Sequence, residues 1–376
     1  MGAHPDASLS SEAWLNALLH LPAMGPRRLA ALLTGRTPAE AWAAAVSGRP
    51  VPEVAAVVGG RASALAGEWA VAARSVDPAA VWSAVRRAGI GVLSLGDPRR
   101  PECLSDDPEP APVLYTLGDP TALEGWPRVA VVGTRRCTRY GSDVATELGA
   151  ALAGVGVSVV SGLALGIDGA AHAGALSVDG PPPVGVVATG LDVPYPAVNR
   201  RLWRRVAEAG VLLSEAPLGT APRAWRFPSR NRIIAALADV VVVVESHAEG
   251  GSLYTVEAAL ERDRPVLAVP GPVRSPASQG TNRLLAEGCA PMCGPDDVLT
   301  ALGLVGAAPV VGSDAGRGVP GAGDRVVLEA AGWSPVTLDD LARMVPLTPV
   351  ELAAAVARLV RGGWLDEQRG FYQRRR

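Results

Sequence analysis

The chain has 376 residues, of which 48% are hydrophobic and 19% are charged, and its formal net charge is −2. This length exceeds one ordinary core, so we expect two or three domains, and the slightly acidic balance argues against a basic protein that coats nucleic acid. The 35 basic residues are all arginine, which excludes sites that need lysine, such as a Walker A loop or a Schiff base.

Residues 1–11 do not have a basic start followed by an apolar core, so we expect no export signal. The longest apolar runs are strand-sized and fall short of the ~20 residues that cross a membrane. Cys103, Cys137, Cys289 and Cys293 lack the paired CxxC spacing of zinc sites. The sequence therefore predicts a cytoplasmic protein with reduced thiols, no membrane contact, and neither a metal nor a cofactor.

Residues 1–78 are predicted to form an N-terminal helical domain, because Ala, Leu and Trp recur at helical spacing from residue 12 to about 75. Within it, residues 21–29 (LPAMGPRRL) resemble the turn of a helix-hairpin-helix, whose backbone amides can contact a phosphate. An ordinary turn between two helices explains so short a motif equally well, and we favour that simpler interpretation.

Residues 79–305 are predicted to form an α/β domain with a doubly wound parallel sheet. Short β-branched runs, each ending in small or polar residues, alternate with Ala-rich segments typical of crossover helices. The predicted strands are 90–95, 129–132, 157–160, 184–187, 211–213, 240–244 and 266–269.

Residues 306–323 are rich in Gly, Pro and Ala without periodicity, which predicts a flexible linker. Residues 324–376 then contain two helical segments, 338–344 and 349–361, followed by a hairpin pattern around Arg369 and Gly370. This layout is typical of a winged helix, a variant of the helix-turn-helix.

Ligands of open parallel sheets bind outside the carboxyl ends of the strands. Four unusual loops are expected at that edge: 133–136, which we expect to open a helix, 161–164, 245–252, and 270–271 together with 280–282. Small residues there permit close backbone approach, and arginines and helix N-termini attract anions.

The segment 225–234 (WRFPSRNRII) adds three arginines and two aromatic residues immediately before an apolar helix. Guanidinium groups clamp phosphates, and aromatic faces stack on bases. A solvated helix start would account for such a segment in isolation, but its coincidence with the four loops favours a polyanion site. We expect Arg135→Ala combined with Arg230→Ala to abolish binding at this polyanion site while thermal stability stays near that of the wild type.

Two other patterns carry less functional information. Residues 132–137 contain one glycine where a dinucleotide fingerprint needs three. Asp168 and His172 are four apart on a predicted helix, and without an accompanying nucleophile we interpret them as a capping or core contact.

Taken together, these motifs resemble the DNA-processing protein A (DprA/Smf) family over about residues 85–295. The residues that carry the resemblance are 129–133, Arg135, Thr138, 140–141, 160–164, 166–168, 171–172, 189–192, 195–196, Asn199, Leu202, 213–215, 227–228, 230–234, 251–253, Thr255, 268–271 and 280–282.

The resemblance implies an extended Rossmann-like domain that binds single-stranded DNA, usually as a homodimer with contacts near 281–290. It implies no catalysis, and a role in natural transformation, in which RecA recombinase is loaded onto incoming strands. The chain departs from the family at Leu165 and at 197–198, where basic residues are usual. The DNA-binding residues expected on this basis are Gly133, Thr134, Arg135, Ser161, Gly162, Asn199, Phe227, Arg230, Asn231, Arg232, Gly251, Ser252 and Asn282.

Two alternative functions remain open from the sequence. In the first, Gly250, Gly251 and Glu257 resemble part of the motif of nucleotide phosphoribohydrolases (lysine-decarboxylase-like proteins), with Glu257 as the acid, although Leu253 and Tyr254 replace its Gly–Thr pair. In the second, the winged helix reads duplex DNA or docks a protein while the middle domain is a scaffold.

Overall fold

The computed structural model describes residues 9–304, 321–331, 335–368 and 370–374. The chain divides into two units, Met1–Val310 and Val311–Arg376. Each unit is built around its own sheet and has its own buried core.

The strands of the first unit form one large sheet. They are β1 (Gly91–Ser94), β2 (Val113–Gly118), β3 (Arg128–Val132), β4 (Ser158–Ser161), β5 (Val184–Val187), β6 (Val211–Ser214), β7 (Val240–Val243), β8 (Val266–Ala268) and β9 (Ala290–Pro291). Their order across the sheet is β1-β2-β6-β5-β4-β3-β7-β8-β9. The seven strands from β6 to β9 in that order run parallel, whereas β1 and β2 pair antiparallel at one end.

Helices surround this sheet. Those described in the first unit are α1 (Ser11–Leu19), α2 (Pro26–Leu33), α3 (Pro38–Val46), α4 (Pro52–Val58), α5 (Ala62–Ala72), α6 (Pro78–Arg87), α7 (Glu102–Ser105), α8 (Arg139–Gly154), α9 (Ile167–Ala175), α10 (Arg200–Ala209), α11 (Arg226–Leu237), α12 (Leu253–Leu260), α13 (Gln279–Ala286) and α14 (Pro295–Ala301). None of the helices in the described part of the chain could span a lipid bilayer.

Strand β3 illustrates why β-branched runs form the centre of the sheet. Successive side chains of a strand point to opposite faces. Val129 and Val131 therefore pack with α8, α9 and α14, whereas Ala130 and Val132 pack with α11, α12 and α13. Both faces of the strand are buried, as the sequence predicts for a parallel sheet covered by helices on each side.

The N-terminal helices α1–α6 share a core with the antiparallel end of the sheet. Trp14, Leu18 and Trp69 lie in the same buried cluster as Tyr115 of β2. The Tyr115 hydroxyl, which is fully buried, donates to Oδ1 of Asn16 at 2.6 Å. The predicted division at residue 78 thus falls at the first residue of α6, within the first unit.

The second unit contains α15 (Ala322–Ala331), β10 (Val336–Thr337), α16 (Leu338–Met344), α17 (Pro349–Arg361), β11 (Leu365–Gln368) and β12 (Phe371–Arg374). Its sheet has the order β10-β12-β11 and is antiparallel. Thr348 caps α17, accepting from the Glu351 amide while the Glu351 carboxylate accepts from the Thr348 amide. The two predicted helices are present, and the winged-helix assignment stays a prediction.

The α/β class with a large, mostly parallel sheet is confirmed. All seven predicted strands are present, and their ends differ by one residue at most. Strands β2 and β9 of the large sheet were not predicted. Strand β9 has only two residues, too few to show a periodicity. Most of the predicted linker, residues 306–320, lies outside the described residues.

Candidate nucleic-acid interface

Strand β3 pairs with β4 on one side and with β7 on the other. After β3 the chain continues to β4 on one side of it, and it later returns to form β7 on the other side. The connections that leave β3 and β7 therefore run in opposite directions across the sheet. Such a reversal of strand order creates a crevice at the carboxyl ends of the strands. A groove of about 710 Å³, which we call the main groove, lies there.

The main groove brings together eight of the thirteen predicted site residues. They are Gly133, Thr134, Arg135, Phe227, Arg230, Asn231, Gly251 and Ser252. A smaller cleft, which shares Arg135, Phe227 and Arg230 with the groove, adds Gly162. Residues from three of the four predicted loops and from the start of α11 therefore meet at one edge of the sheet. The fourth predicted loop, 270–271 with 280–282, lines neither the main groove nor the smaller cleft.

Arg135 presents an exposed guanidinium to the main groove. Its central carbon lies 4.4 Å from the centroid of the Phe227 ring, within the range of a cation–π contact. Tyr195 extends this surface, since its ring centroid is 5.8 Å from that of Phe227 with a 45° tilt. The groove thus presents one cation and two aromatic rings side by side, a combination suited to phosphates and bases.

Arg230 has a different role, because only 6% of it is exposed. Its Nη1 donates to the carbonyl oxygens of Gly162, at 2.7 Å, and of Val186, and its Nε donates to Oδ1 of Asn231 at 3.1 Å. Burial lowers the pKa of Arg230 to about 10, so it remains charged at neutral pH. This burial argues against the expectation that stability is unaffected when Arg230 is replaced by alanine together with Arg135, because the substitution leaves buried carbonyl groups unpaired.

Asp168 lies beneath the groove on α9 and is buried. Its Oδ2 accepts a hydrogen bond from the Gly162 amide at 3.1 Å, which fixes the loop after β4. Burial raises the pKa of this carboxyl, while the nearby positive charge of Arg230 lowers it. The interpretation of Asp168 as a local structural contact is consistent with this geometry, and its partner is Gly162.

Glu245 organises the loops on both sides of the switch point, although only 1% of it is exposed. Its carbonyl oxygen accepts from the Thr134 amide at 2.8 Å. Its carboxylate accepts from the amide and the hydroxyl of Thr138, the N-cap of α8, at 2.8 and 2.6 Å. Helix α8 therefore begins at Arg139, and a carboxylate of the chain itself occupies its N-terminus. Loop 133–136 is thus followed by a helix, as predicted, but the helix begins three residues after the loop and Glu245 contacts its N-cap.

The loop after β7 is joined to α11 by Asn231. Its Nδ2 donates to the Gly251 carbonyl at 3.1 Å. The hydroxyl of Ser252 is buried and donates to that of Ser246 at 2.9 Å. Asn231 and Ser252 therefore hold the walls of the groove in position, whereas Gly251 itself is exposed.

Four predicted residues line neither the main groove nor the smaller cleft. The Ser161 hydroxyl donates to Val131 O at 2.6 Å, and the Asn199 amide donates to Leu163 O and Ala164 O at 3.0 and 3.1 Å.

The other two are also engaged within the protein. The side-chain amide of Asn282 bonds to both the amide and the carbonyl of Gly271. Arg232 forms an ion pair with Glu215 and donates to Glu109 O at 2.6 Å. The structure thus corrects the expectation that Arg232 faces the same groove as Arg135.

The main groove is also lined by Arg136, Tyr195, His247 and Tyr254. Arg136 and His247 lie in the predicted loops 133–136 and 245–252, and Tyr195 is among the residues that carry the family resemblance. Tyr254 of α12 was not predicted to line a DNA-binding site. Leu165, where the family usually has a basic residue, lines the smaller cleft, so the missing charge falls beside the groove.

The arrangement does not favour the phosphoribohydrolase alternative. Glu257, its proposed acid, is exposed and lines a different groove together with Arg232 and Glu261. The main groove does not include Glu257, so the acid and Arg135 do not face a common substrate. Within the described residues, no cluster of His, Cys, Asp and Glu has the arrangement of a metal site.

Comparison with known proteins shows which family the chain resembles. A family model described as DNA recombination-mediator protein A matches residues 91–303. A DprA protein of Mycobacterium tuberculosis (strain H37Rv) is 42% identical over 267 residues, covering 69% of this chain and 68% of the relative. DNA processing protein DprA of Bacillus subtilis (strain 168) is 37% identical over 222 residues, 59% of this chain and 74% of that protein.

Two solved structures are also similar. DNA processing protein A of Streptococcus pneumoniae matches with a TM-score of 0.65 and 31% identity, covering 77% of this chain and 97% of that chain. DNA processing protein A of Helicobacter pylori, solved to describe its single-stranded DNA binding mode, matches with a TM-score of 0.52 and 30% identity, covering 57% and 95%. The residues matched by the family model include every residue that lines the main groove.

Proposed function

The chain belongs to the DNA recombination-mediator protein A family, a family of recombination mediators rather than enzymes, and from this premise we propose that it binds single-stranded DNA in the main groove. The observation that carries the proposal is the exposed guanidinium of Arg135 lying over Phe227 beside Tyr195. A phosphate pairs with the guanidinium and a base stacks on a ring, and neither contact requires a particular sequence.

The charges of the groove support this ligand. Arg135, Arg136 and Arg230 contribute three positive charges, against the carboxyl groups of Asp168 and Glu249. The whole chain has a net charge of −2, so the attraction for an anionic strand is local and acts over roughly the Debye length of about 8 Å.

Binding is tested by measuring the dissociation constants of an oligo-dT strand and of a duplex of the same length across a series of salt concentrations. We expect the single strand to bind more tightly, with an affinity that falls as salt rises. Equal affinity for the duplex, or binding that does not depend on salt, would contradict the proposal.

We further propose that the protein loads RecA recombinase onto the bound single strand during DNA processing in natural transformation and recombination. The support is the family membership of residues 91–303. The test is the rate at which RecA assembles on single strands coated with single-strand-binding protein. We expect this protein to accelerate assembly, and an unchanged rate would count against loading.

We propose that the protein acts in the cytoplasm as a homodimer. Strand β9 is an edge strand of the large sheet, and its Ala290 and Pro291 are exposed, which supports a contact near 281–290. Sedimentation equilibrium at micromolar concentration tests the assembly, and a mass of one chain would contradict it.

For the remaining parts of the chain, we propose a helical N-terminal domain ending near residue 78, a linker at 306–323 and a winged helix at 324–376. The order helix, strand, two helices and hairpin in the second unit supports the last assignment. Limited proteolysis tests the boundaries, and we expect the first cleavage within 306–323.

A further inference from the structure

Trp225 lies beside the main groove without lining it. The indole is 57% exposed, whereas Phe227, two residues later, faces the groove. Residues 223–227 form a turn in which the Arg226 amide donates to Arg223 O at 3.0 Å and the Phe227 amide donates to Ala224 O at 3.3 Å. We call this segment the rim turn. Its two aromatic side chains line different depressions, one on each side of it.

The guanidinium of Arg226 holds the indole of Trp225 in position. Its central carbon lies 4.5 Å from the ring centroid, so it covers one face of the indole. Arg226 is attracted in turn by the negative charge of Glu215, a largely buried carboxylate. A ring that is already ordered loses little rotamer freedom when a ligand stacks on it.

The depression behind Trp225 is far smaller than the main groove. It is lined by Leu19, Met24, Trp225 and Arg226, among others, and its volume is about 30 Å³, against about 710 Å³ for the main groove. A planar ligand must therefore lie on the exposed surface of the indole. The charges near this surface favour an anionic planar ligand, because Arg226 lies against the ring and the exposed Arg223 is close enough for its positive charge to act on Arg226.

We propose that Trp225, Arg223 and Arg226 form a second contact for single-stranded DNA, in which a base of the strand leaving the main groove over the rim turn stacks on Trp225. The phosphate beside that base pairs with Arg223. This inference rests on the function proposed above, and it extends the binding path beyond Phe227 to a residue that the main groove does not include.

The test compares Trp225→Ala with Trp126→Ala by fluorescence anisotropy, using labelled oligo-dT strands of increasing length. Trp126 is the matched control: it is 43% exposed, but it precedes β3 and lies at the amino ends of the parallel strands, away from the groove. We expect Trp225→Ala to weaken binding of long strands about tenfold. The shortest strands that the wild type binds fill the main groove alone, and their affinity should not change.

Strands with abasic sites at their terminal positions separate stacking from charge. They retain the phosphates, so the difference between wild type and Trp225→Ala should disappear on them, while Trp225→Phe should bind complete strands nearly as well as the wild type. Trp225→Ala binding like the wild type at every length, or a loss equally large for the shortest strands, would overturn the second contact.

An Arg135→Ala variant distinguishes this failure from failure of the proposed function. If Arg135→Ala loses affinity and Trp225→Ala does not, only the contact at the rim turn is refuted. If the wild type binds no oligonucleotide of any length, both proposals are refuted. Thermal unfolding of each variant checks that the fold is intact.

Discussion

Arg135 and Arg230 face the same groove but have different roles. Arg135 is exposed, and the described contact of its guanidinium is with the ring of Phe227, which leaves the N–H groups at its edge able to reach a phosphate. Arg230 directs its donors to carbonyl oxygens within the protein. We therefore assign direct phosphate binding to Arg135 and a positioning role to Arg230.

For Arg135→Ala, we expect about tenfold weaker binding of oligo-dT with little change in thermal stability, because the side chain is exposed and its described contact is with the Phe227 ring. The dependence of log K on log salt should become shallower by about 0.7 for each phosphate that the variant no longer neutralises. The measurement is a salt titration of the dissociation constant. Arg61→Ala, which removes an exposed arginine of the helical region, should leave both quantities as in the wild type.

For Arg230→Ala, we expect a clear loss of stability. Each carbonyl group left buried without a donor costs about 1–3 kcal/mol, and Asp168 loses the positive charge that favours its ionised form. Urea denaturation measures the change in the free energy of unfolding. Arg230→Lys keeps the charge and should recover part of the loss. Wild-type stability in Arg230→Ala together with lost DNA binding would show that Arg230 contacts DNA directly.

His172 should make stability depend on pH. Burial lowers its pKa from 6.5 to about 4 in the folded protein. Between these values the unfolded chain binds a proton that the folded chain does not, so the free energy of unfolding falls as the pH drops from about 6.5 to about 4. A shift of this size corresponds to about 3 kcal/mol.

The measurement is the free energy of unfolding at several pH values for the wild type and for His172→Leu. The variant removes this titration while Asp168 and Glu215, whose carboxyl pKa values burial raises, continue to titrate in both proteins. The difference in stability between the two proteins should therefore change across that pH window. A constant difference would show that the ring is not held neutral.

Among the secondary-structure elements, the central strands were the most predictable from the sequence. A β-branched run buried on both faces leaves few alternatives to a central parallel strand. The reversal of strand order at β3 then determines where the loops meet. The sequence also held an unused signal for the start of α8, because Thr138 is a typical N-cap residue. The side chain that occupies this N-terminus, Glu245, is 107 residues away in the chain, and no local pattern shows such a contact.

The orientation of the arginines on α11 was only partly predictable. Arg230 is four residues before the buried Ile234 and therefore shares its face of the helix. That spacing was a signal that Arg230 points inward. The groups that engage Arg232, by contrast, come from other elements and could not be inferred from the spacing within the helix.

Two glycines of the groove loops give a matched pair of substitutions. A Cβ added at Gly162 would overlap the guanidinium of Arg230, whereas one added at Gly251 would have nothing within 4 Å. We expect Gly162→Ala to lower the melting temperature and DNA affinity together, because it displaces Arg230. Gly251→Ala should keep wild-type stability and weaken only the binding of oligo-dT, where the strand approaches the backbone.

Thermal unfolding and oligo-dT titration of the two variants distinguish these outcomes. If Gly162→Ala unfolded at the wild-type temperature, the buried position of Arg230 would be in doubt. If Gly251→Ala bound DNA as the wild type does, the loop after β7 would not be a close contact of the strand.

At the scale of the whole molecule, the main groove is formed entirely by residues of the first unit. A chain truncated after residue 310 should therefore bind oligo-dT within about threefold of the full chain, a difference of less than about 1 kcal/mol. The measurement is the dissociation constant of both chains at one salt concentration. A much weaker affinity of the truncated chain would assign part of the binding to the second unit.

The pairing of β3 with β7 has a consequence for how a strand of DNA arrives. The loops that form the two walls begin where Val132 and Val243 stand opposite each other in the parallel ladder, and neighbouring strands are about 4.8 Å apart. The spacing of the walls at their base is therefore fixed by backbone hydrogen bonds within the sheet. The two walls therefore need not move apart or together at their base when DNA binds. We expect association to be limited by diffusional encounter and not by a conformational change of the protein.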